Sequence, residues 1–368
     1  MQECDALLAL LHAPYLGPVK IRLLVQHFGS AAQALDADPE EARILPGFHE
    51  KECLSLRNAK TAEEWKRDRE LVDAMGVELI LYNDPRFPEG LNDLPDSPIL
   101  LYLMGSLPQR QEKSVAIVGT RRCSVYGSSM AESLSKGLAN YGYPIVSGLA
   151  RGIDTEAHKA ALDSKGRTIA VIGSGLAKVY PTENQKLAKE ITETGALISE
   201  FPLRTPPDRP NFPQRNRLVA AMTRGTILVE APLKSGAMIT MRRAKALNRA
   251  LFTIPGRVDI PSFAANHALL KEGAASLIES AEDVAQSFGD LFPDHVNKYC
   301  SAPSVKLEPE ELRLLETLPS EEITVDELAN RTQLPVGKLS VLLMSLLLKK
   351  MIREYPGKRY KKLSPSRT

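Results

Sequence analysis

The chain has 368 residues, of which 43% are hydrophobic and 25% are charged, and its formal net charge is +2 at pH 7. This composition is typical of a soluble globular protein that has more than one domain. A net charge so close to zero excludes a basic footprint over the whole molecule, so a nucleic-acid partner would have to be held by a local patch.

Cysteine spacing and the N-terminus bear on the cellular setting. The chain has four cysteines without Cys-x-x-Cys spacing, namely Cys4, Cys53, Cys123 and Cys300. This scatter argues against a zinc site and favours a reducing cytosol. Glu3 and Asp5 precede a short apolar run, unlike a signal peptide, and the apolar segment 339–348 is too short to span a bilayer. We expect a cytoplasmic protein without a metal, a cofactor or membrane contact.

The first 75 residues are predicted to form a helical domain. Its loops Leu16-Gly17-Pro18 and Leu45-Pro46-Gly47 separate amphipathic stretches and are similar to helix-hairpin-helix turns, so the domain is predicted to be helix-hairpin-helix or SAM-like. Both loops lack the usual Gly-x-Gly, which favours packing or docking over DNA contact. A connector rich in proline and aspartate follows over 76–112 and ends in the apolar run 99–104, predicted to be an edge strand.

Short apolar strands and helical stretches alternate over residues 113–288. The alternation predicts an α/β domain with a doubly wound, extended Rossmann-like sheet. Because crossovers between parallel strands are right-handed, the loops after successive strands gather at one edge, where such folds bind ligands. The predicted strands are 115–118, 145–146, 168–172, 196–199, 226–229 and 251–254.

Eight motifs occur in a fixed order over residues 82–280. They are GTR, SGLARGID, TIAVIGSGL, YP, SEFP, FPQRNR, VEAPLKSGAMIT and IPG. In this order they resemble the DprA (Smf) family of DNA-processing proteins. The resemblance implies a non-enzymatic protein that binds single-stranded DNA, protects incoming DNA and loads the RecA recombinase on it during natural transformation. It also implies a homodimer formed through the Rossmann domain.

The predicted DNA site combines that resemblance with the chemistry of the strand ends. Glycines let backbone N–H groups approach phosphates, and arginines add positive charge. Arg121 and Arg151 match the basic positions that the resemblance assigns to DNA contact. Phe212 matches an aromatic position and either stacks a base or packs in the core, and Arg209 holds a phosphate. The predicted site is Gly119, Thr120, Arg121, Ser147, Gly148, Arg151, Arg209, Phe212, Arg215, Asn216, Arg217, Ser235 and Gly236.

Several of these residues have a second interpretation. Arg215 and Arg217 either contact phosphates or pair with carboxylates such as Glu200 and Glu230. Ser235 and Gly236 open a helix, whose N-terminus attracts anions, and Ser235 is also a common type of N-cap.

Other kinds of site are weaker candidates. Gly173-Ser174-Gly175 lacks the third glycine of a dinucleotide-binding loop. Asp154 and His158 share a helix face, and we expect a cap and a packed histidine rather than a metal or acid-base pair. The alternative function is a nucleoside-monophosphate phosphoribohydrolase of the lysine-decarboxylase-like Rossmann type, with Glu230 as its catalytic glutamate. The hydrolase would need a closed mononucleotide pocket, whereas a DNA-strand binder needs an open groove.

The C-terminal residues 309–368 are predicted to form a winged helix after a linker over 289–308. Its helices are predicted at 310–318, 325–331 and 336–349, before a β-hairpin. Because the third helix carries an apolar stripe, we expect it to dock on protein rather than read bases. The stripe consists of Leu339, Leu342, Leu343, Leu346 and Leu347. The basic wing leaves contact with a duplex backbone open, through Lys358, Arg359, Lys361 and Lys362.

Overall fold

The computed structural model describes residues 1–108, 113–290, 308–319, 323–349, 351–355 and 358–362. The chain divides into two compact units, Met1–Asn297 and Lys298–Thr368. Of the predicted linker, residues 291–307, which include Cys300, lie outside the described ranges. The predicted hairpin turn at 356–357 also lies outside them. No helix in these ranges is both long enough and apolar enough to cross a membrane.

The N-terminal helices pack directly on the sheet that follows them. Asp68 joins the two parts, because its carboxylate accepts hydrogen bonds from Tyr102 Oη at 2.6 Å and from the backbone N–H of Leu203 at 3.0 Å. The two parts also share one hydrophobic core, in which Leu7 and Leu24 meet Ile172. The helices are α1 (Glu3–His12), α2 (Pro18–Phe28), α3 (Ala31–Asp36), α4 (Glu50–Ala59) and α5 (Glu63–Met75), with a 3₁₀ helix over Pro39–Ile44.

A nine-stranded sheet forms the centre of the first unit, in the order β1-β2-β6-β5-β4-β3-β7-β8-β9. The strand β2 is antiparallel to both of its neighbours, β1 and β6. The seven strands β3 to β9 are all parallel to one another. The bounds are β1 (Glu78–Leu81), β2 (Leu100–Gly105), β3 (Val115–Val118), β4 (Ile145–Ser147), β5 (Thr168–Val171), β6 (Ala196–Ser199), β7 (Gly225–Leu228), β8 (Ala250–Thr253) and β9 (Ser276–Leu277).

The six strands predicted over 113–288 are all present, with ends that differ by at most one residue. The prediction of an edge strand at 99–104 is wrong, because β1 pairs outside β2 and makes it an inner strand. Neither β1 nor the two-residue β9 was predicted. A two-residue strand gives no periodic pattern, whereas β1 is as long as the predicted strands but lies in the segment predicted to be a connector.

Seven helices cover the two faces of the parallel strands. In the first of them, Ala131, Leu134 and Leu138 recur at helical spacing and are buried against the sheet. The strand β3 is buried at every residue, as expected for a strand covered on both faces. The helices are α6 (Val125–Asn140), α7 (Ile153–Asp163), α8 (Gln185–Thr194), α9 (Asn211–Ala221), α10 (Gly236–Ala246), α11 (Ala264–Lys271) and α12 (Ala281–Ser287), with 3₁₀ turns at Glu89–Asp93, Leu176–Lys178, Thr182–Asn184 and Pro261–Phe263.

The strand order reverses at β3. From β3 the chain continues outward through β4, β5 and β6, and β7 then pairs on the other side of β3. Loops that leave β3 and β7 therefore diverge to opposite faces of the sheet and leave a crevice at their carboxyl ends. The expected Rossmann-like architecture is confirmed, and it places the predicted GTR and VEAPLKSGAMIT motifs on either side of this crevice.

The second unit is a winged helix with a three-stranded sheet in the order β10-β12-β11. Leu339, Leu343 and Leu346 of its third helix are buried with Leu328, and Leu342 and Leu347 pack against them. The predicted docking stripe is therefore the core of the unit itself, whereas Val341 and Met344 stay exposed. The elements are α13 (Pro309–Thr317), β10 (Ile323–Thr324), α14 (Val325–Thr332), α15 (Val336–Leu348), β11 (Ile352–Tyr355) and β12 (Arg359–Lys362).

Candidate nucleic-acid interface

A cleft of about 840 Å³ opens at the crevice between β3 and β7. Its walls are the loops after β3, β4 and β7, the start of α9 and the first turn of α10. We use the name cleft edge for its exposed cations Arg121, Arg122, Arg209 and Lys234. We use the name cleft floor for four buried charged residues: Asp154 and Arg215, which line the cleft, and Arg217 and Glu230, which belong to the same motifs but do not line it.

The cleft edge presents positive charge without internal neutralisation. Arg121, Arg122, Arg209 and Lys234 are exposed, and no carboxylate within the described ranges forms an ion pair with any of them. The guanidinium carbon of Arg121 lies 5.4 Å from the ring centroid of Phe212, a cation–π contact that orients the arginine. These residues are therefore available to an anionic ligand.

Arg151 is exposed but already has a partner. Its guanidinium forms two hydrogen bonds with the carboxylate of Glu183, one of them 3.1 Å long between Nη2 and Oε2. The hydrogen bond with Glu183 raises the pKa of Arg151, and the same bond lowers the pKa of Glu183. A phosphate that binds Arg151 must compete with this carboxylate, so Arg121 and Arg151 are not equivalent.

Arg215 lies in the cleft floor and holds two strand ends together. Its side chain is buried, and Nη1 donates hydrogen bonds to the carbonyl oxygens of Gly148 and Val171. A Cβ at Gly148 would stand 2.5 Å from Nη2 of this arginine, which explains the glycine. Burial lowers the pKa of Arg215 to about 10, although the nearby Asp154 opposes that shift.

Arg217 forms a buried ion pair below the cleft. The side chain is 3% exposed, Nη2 contacts the carboxylate of Glu200, and Nε lies 3.1 Å from Oδ2 of Asp96. Burial raises the pKa of Glu200 to about 7, with Arg217 acting against it. Phosphate contact by Arg217 does not fit this geometry, because the side chain is buried against two carboxylates and does not line the cleft. The alternative interpretation, pairing with Glu200, is confirmed.

The predicted glycine-rich loops are occupied by contacts within the protein. Ser147 is fully buried and donates to the carbonyl of Ile117 at 2.7 Å, so it cannot reach a phosphate. The N–H of Gly148 donates to Asp154 at 3.1 Å, and that of Thr120 donates to the carbonyl of Glu230 at 2.7 Å. These two N–H groups shape the loops rather than point into the cleft.

Helix α10 begins at the cleft wall. Ser235 is its N-cap, and its Oγ accepts a hydrogen bond from the N–H of Met238 at 3.3 Å, so the capping interpretation is confirmed. The carbonyl of Gly236 accepts a hydrogen bond from Asn216 Nδ2 at 3.2 Å, which joins α10 to α9. Ser235, Gly236 and Ala237 line the cleft, so the positive end of α10 faces it.

Comparison with known proteins identifies the family. A family model described as DNA recombination-mediator protein A matches residues 78–289, and the DprA winged helix domain matches residues 301–358. The chain is 31% identical to protein Smf of Synechocystis, an alignment that covers 94% of this chain and 96% of that protein. The chain belongs to the DprA (Smf) family. The DNA processing protein DprA of Streptococcus pneumoniae is 42% identical to it over 56% of this chain and 72% of that protein.

Solved structures of DprA proteins share this fold. The crystal structure of DNA processing protein A from Streptococcus pneumoniae superposes with a TM-score of 0.67 at 30% identity, covering 78% of this chain and 98% of that one. A DprA structure from Helicobacter pylori, described in terms of a unique single-stranded DNA binding mode, gives 0.52 at 31% identity, covering 58% of this chain and 96% of that one. The expected resemblance to DNA-processing proteins is confirmed.

Asp154 and His158 do not form a reactive pair in this DprA family member. Asp154 accepts hydrogen bonds from the N–H groups of Gly148 and Ala150, and burial raises its pKa. The fully buried His158 places Nδ1 2.6 Å from Oγ1 of Thr168, and burial lowers its pKa to about 3. The packed histidine is confirmed, but the expected cap at Asp154 is wrong, because Gly152 is the N-cap of α7 and no side chain caps this helix. In the described part of the chain no group of three or more His, Cys, Asp or Glu side chains is arranged to hold a metal.

Glu230, the glutamate of the alternative hydrolase, supports the loop after β3. It is 1% exposed, and its Oε2 accepts hydrogen bonds from the N–H and the Oγ of Ser124 at 2.9 and 2.8 Å. Its Oε1 accepts a hydrogen bond from Ser262 Oγ at 2.6 Å. Three donors occupy this carboxylate, so Glu230 fixes the surrounding loops. The position of Glu230 before Ser235 and Gly236 therefore no longer favours a phosphoribohydrolase.

Several residues that line the cleft were not predicted as site residues, among them Arg122, Lys234 and Tyr180. Lys234 belongs to the cleft edge and directly precedes the predicted Ser235, so the sequence VEAPLKSG contained the signal. Tyr180 reaches the cleft from the YP motif, beside Phe212. That motif supported the family resemblance, but nothing in its local pattern brings it near residue 212. Only the tertiary fold joins these two aromatic residues.

Proposed function

We propose that this protein binds single-stranded DNA in the cleft, protects incoming DNA and loads a RecA-type recombinase on it during natural transformation. The observation that carries the proposal is the cleft edge, four exposed cations without carboxylate partners in the described ranges, beside Phe212 and Tyr180. Single-strand binding requires a positive groove that follows the phosphates and aromatic surfaces on which bases stack. The cleft has both features.

The shape of the cleft favours a strand over a mononucleotide. The cleft is open to solvent and spans loops from β3, β4 and β7 as well as α9, so several phosphates in a row have contact points. Contacts to phosphates carry no sequence information, so we expect selectivity for single strands and little for base sequence. The Helicobacter pylori relative, described by its single-stranded DNA binding mode, supports the same assignment.

The wider function rests on the family. Relatives in Streptococcus pneumoniae and Bacillus subtilis carry the name DNA processing protein DprA, and a family model describes a DNA recombination-mediator protein. We extend this to a cytoplasmic, non-catalytic homodimer, without a cofactor, that transfers bound DNA to a RecA-type recombinase. The winged helix is assigned a second contact, with duplex DNA or with protein.

Fluorescence anisotropy with one labelled oligonucleotide tests DNA binding. The oligonucleotide is measured as a single strand and after annealing, across a salt series and with a competing mononucleotide. We expect preference for the single strand, weaker binding as salt rises because counterions are released, and no competition by the mononucleotide. Equal binding of both forms would move the interaction to the basic wing, and displacement by mononucleotide would restore the phosphoribohydrolase.

Recombinase loading needs its own measurement. RecA filament growth on a single strand coated with a single-strand binding protein is followed by fluorescence, with and without the full-length protein. We expect the protein to shorten the lag before filament growth. An unchanged lag, alongside intact DNA binding, would contradict the loading step and leave the DNA-binding assignment standing.

A further inference from the structure

Tyr180 is the aromatic residue of the cleft that remains most accessible. The residue is 36% exposed and lines the cleft. The ring centroid lies 5.9 Å from that of Phe212, with the two planes inclined at 54°. The same tyrosine also borders a smaller cavity between Arg121 and Arg151, so it stands among the cations that would hold phosphates.

Phe212, in contrast, is largely engaged by the protein. A Cβ built at Gly173 would stand 3.0 Å from Cδ1 of Phe212, so the backbone of Gly173 packs against this ring. The guanidinium of Arg121 lies 5.4 Å from the ring centroid. A base that stacked fully on Phe212 would have to displace one of these contacts, whereas Tyr180 needs no such change.

We propose that Tyr180 stacks on a base of the bound strand, and that Phe212 is a positioning residue that holds Tyr180 and Arg121 in place. This inference rests on the proposed single-strand binding and assigns the base contact within it. A tyrosine ring accepts any base because every base has a π-face, so stacking here adds affinity without sequence preference. Arg121 and Arg151 on either side then hold the neighbouring phosphates.

The test uses the full-length protein and two oligonucleotides of equal length. One contains 2-aminopurine, whose fluorescence is quenched by stacking, and the other contains abasic sites over the central positions. The variants are Tyr180→Leu, Tyr180→Phe and, as a matched control, Tyr15→Leu, which changes a 63% exposed tyrosine of the N-terminal helical region.

We expect wild type, Tyr180→Phe and Tyr15→Leu to quench 2-aminopurine equally, because each retains the cleft ring. Tyr180→Leu should lose the quenching and bind the base-containing strand about 10-fold more weakly, with little change for the abasic strand. The Phe variant keeps an aromatic ring packed against Phe212. Normal quenching by this variant would show that the loss in Tyr180→Leu comes from the missing ring and not from misfolding.

Different results would contradict different statements. Wild type that binds neither oligonucleotide would overturn the proposed function itself. Wild type that binds both, with unchanged quenching and affinity in Tyr180→Leu, would overturn the stacking role while the function stands. Loss of quenching in Phe212→Leu together with normal quenching in Tyr180→Leu would assign the base platform to Phe212 instead.

Discussion

The cleft edge and the cleft floor contain the same kinds of charged side chain, but the protein uses them differently. Arg121 and Arg209 at the edge are exposed and have no carboxylate partner in the described ranges. Arg215 and Arg217 in the floor are buried and bonded to carbonyl or carboxylate oxygens. The comparison teaches that, within one arginine-rich region, burial decides which residues bind a ligand and which hold the site together.

The difference has a physical cause. Burial of a charged group is costly unless it is paired and hydrogen-bonded, so floor residues use their hydrogen-bonding capacity within the protein. Their bonds join the loops after β4, β5 and β6 to α9, as the contacts of Arg215 and Arg217 show. The edge residues project from loops that are fixed in this way. We therefore expect floor variants to change stability and edge variants to change binding.

The largest effect is expected for Arg217→Ala in the floor. This change leaves the 6% exposed Glu200 without its cation, and loss of one partner of a buried pair costs about 3–5 kcal/mol of unfolding free energy. Urea unfolding followed by circular dichroism measures the change. Arg209→Ala, at the edge, is the control and should stay within about 0.5 kcal/mol of wild type. Equal stability of the two variants would break the comparison.

At the edge, Arg121→Ala should weaken single-strand binding rather than folding. A charge-assisted hydrogen bond to phosphate contributes about 1.5–3 kcal/mol, which corresponds to roughly 10- to 150-fold in Kd. Anisotropy with a labelled single strand measures the loss, and the salt dependence should flatten because fewer counterions are released.

The control for Arg121→Ala is Arg43→Ala, which changes an arginine of the N-terminal helical region whose side chain is 53% exposed. It should bind single strands as wild type does. If the Arg121 variant also retained full affinity while the protein still bound single strands, the DNA site would have to lie away from this cleft edge.

Much of the fold was predictable because its signals are local. Six buried strands, the first crossover helix with Leu134 and Leu138, and the winged helix follow from short apolar runs and helical spacing. Three strands were missed: β9 and β10 have two residues each, too few to produce a pattern, and β1 lies in the segment predicted to be a connector. The leucine stripe of α15 was recognised, but its partner was misjudged, because an apolar face has the same sequence whether it covers its own domain or another protein.

The site was harder to predict than the fold. Sequence placed Arg121, Arg209 and Arg217 near one strand edge, but it could not show that Glu200 and Asp96 converge on Arg217, since these carboxylates lie on other elements. Tyr180 was missed for the same reason. Side-chain burial depends on contacts between distant segments, so it is the part of a binding site that local patterns determine least.

The next largest effect is expected for the pH dependence of stability at the buried His158, whose pKa Arg215 of the cleft floor helps to lower. The folded-state pKa of His158 is about 3, below the ordinary 6.5, chiefly because of burial and also because of Arg215. Its contribution to stability is therefore complete above pH 6.5 and is lost as pH falls towards 3. Between pH 6.5 and 5 wild type should lose about 2 kcal/mol through this group.

The measurement compares wild type with His158→Leu by urea unfolding at several pH values. Glu200 acts in the opposite direction, because its raised pKa of about 7 means that its contribution is lost as pH rises from 4.5 to 7. Both proteins contain Glu200, so its contribution cancels when the unfolding free energy of one is subtracted from that of the other. Parallel pH profiles for wild type and the Leu variant would show that His158 does not control acid sensitivity.

The smallest effect is expected at Arg151, which lines a smaller cavity together with Arg121. This arginine is exposed as the edge residues are, but it is bonded to Glu183 as a floor residue would be. Glu183→Gln should raise single-strand affinity about 2- to 5-fold, because phosphate then no longer competes with a carboxylate. Arg151→Ala should weaken binding less than Arg121→Ala does. Anisotropy at low salt measures both changes.

Two further variants show whether Glu183 acts through Arg151. Glu190 lines the same surface groove as Glu183, but it pairs with Lys186 rather than with Arg151. Glu190→Gln therefore reports the general effect of removing one negative charge. The double variant Arg151→Ala, Glu183→Gln removes the competition itself. If Glu183→Gln strengthened binding equally in the presence and absence of Arg151, its effect would be general electrostatics. If the gain required Arg151, the ion pair would restrain DNA binding directly.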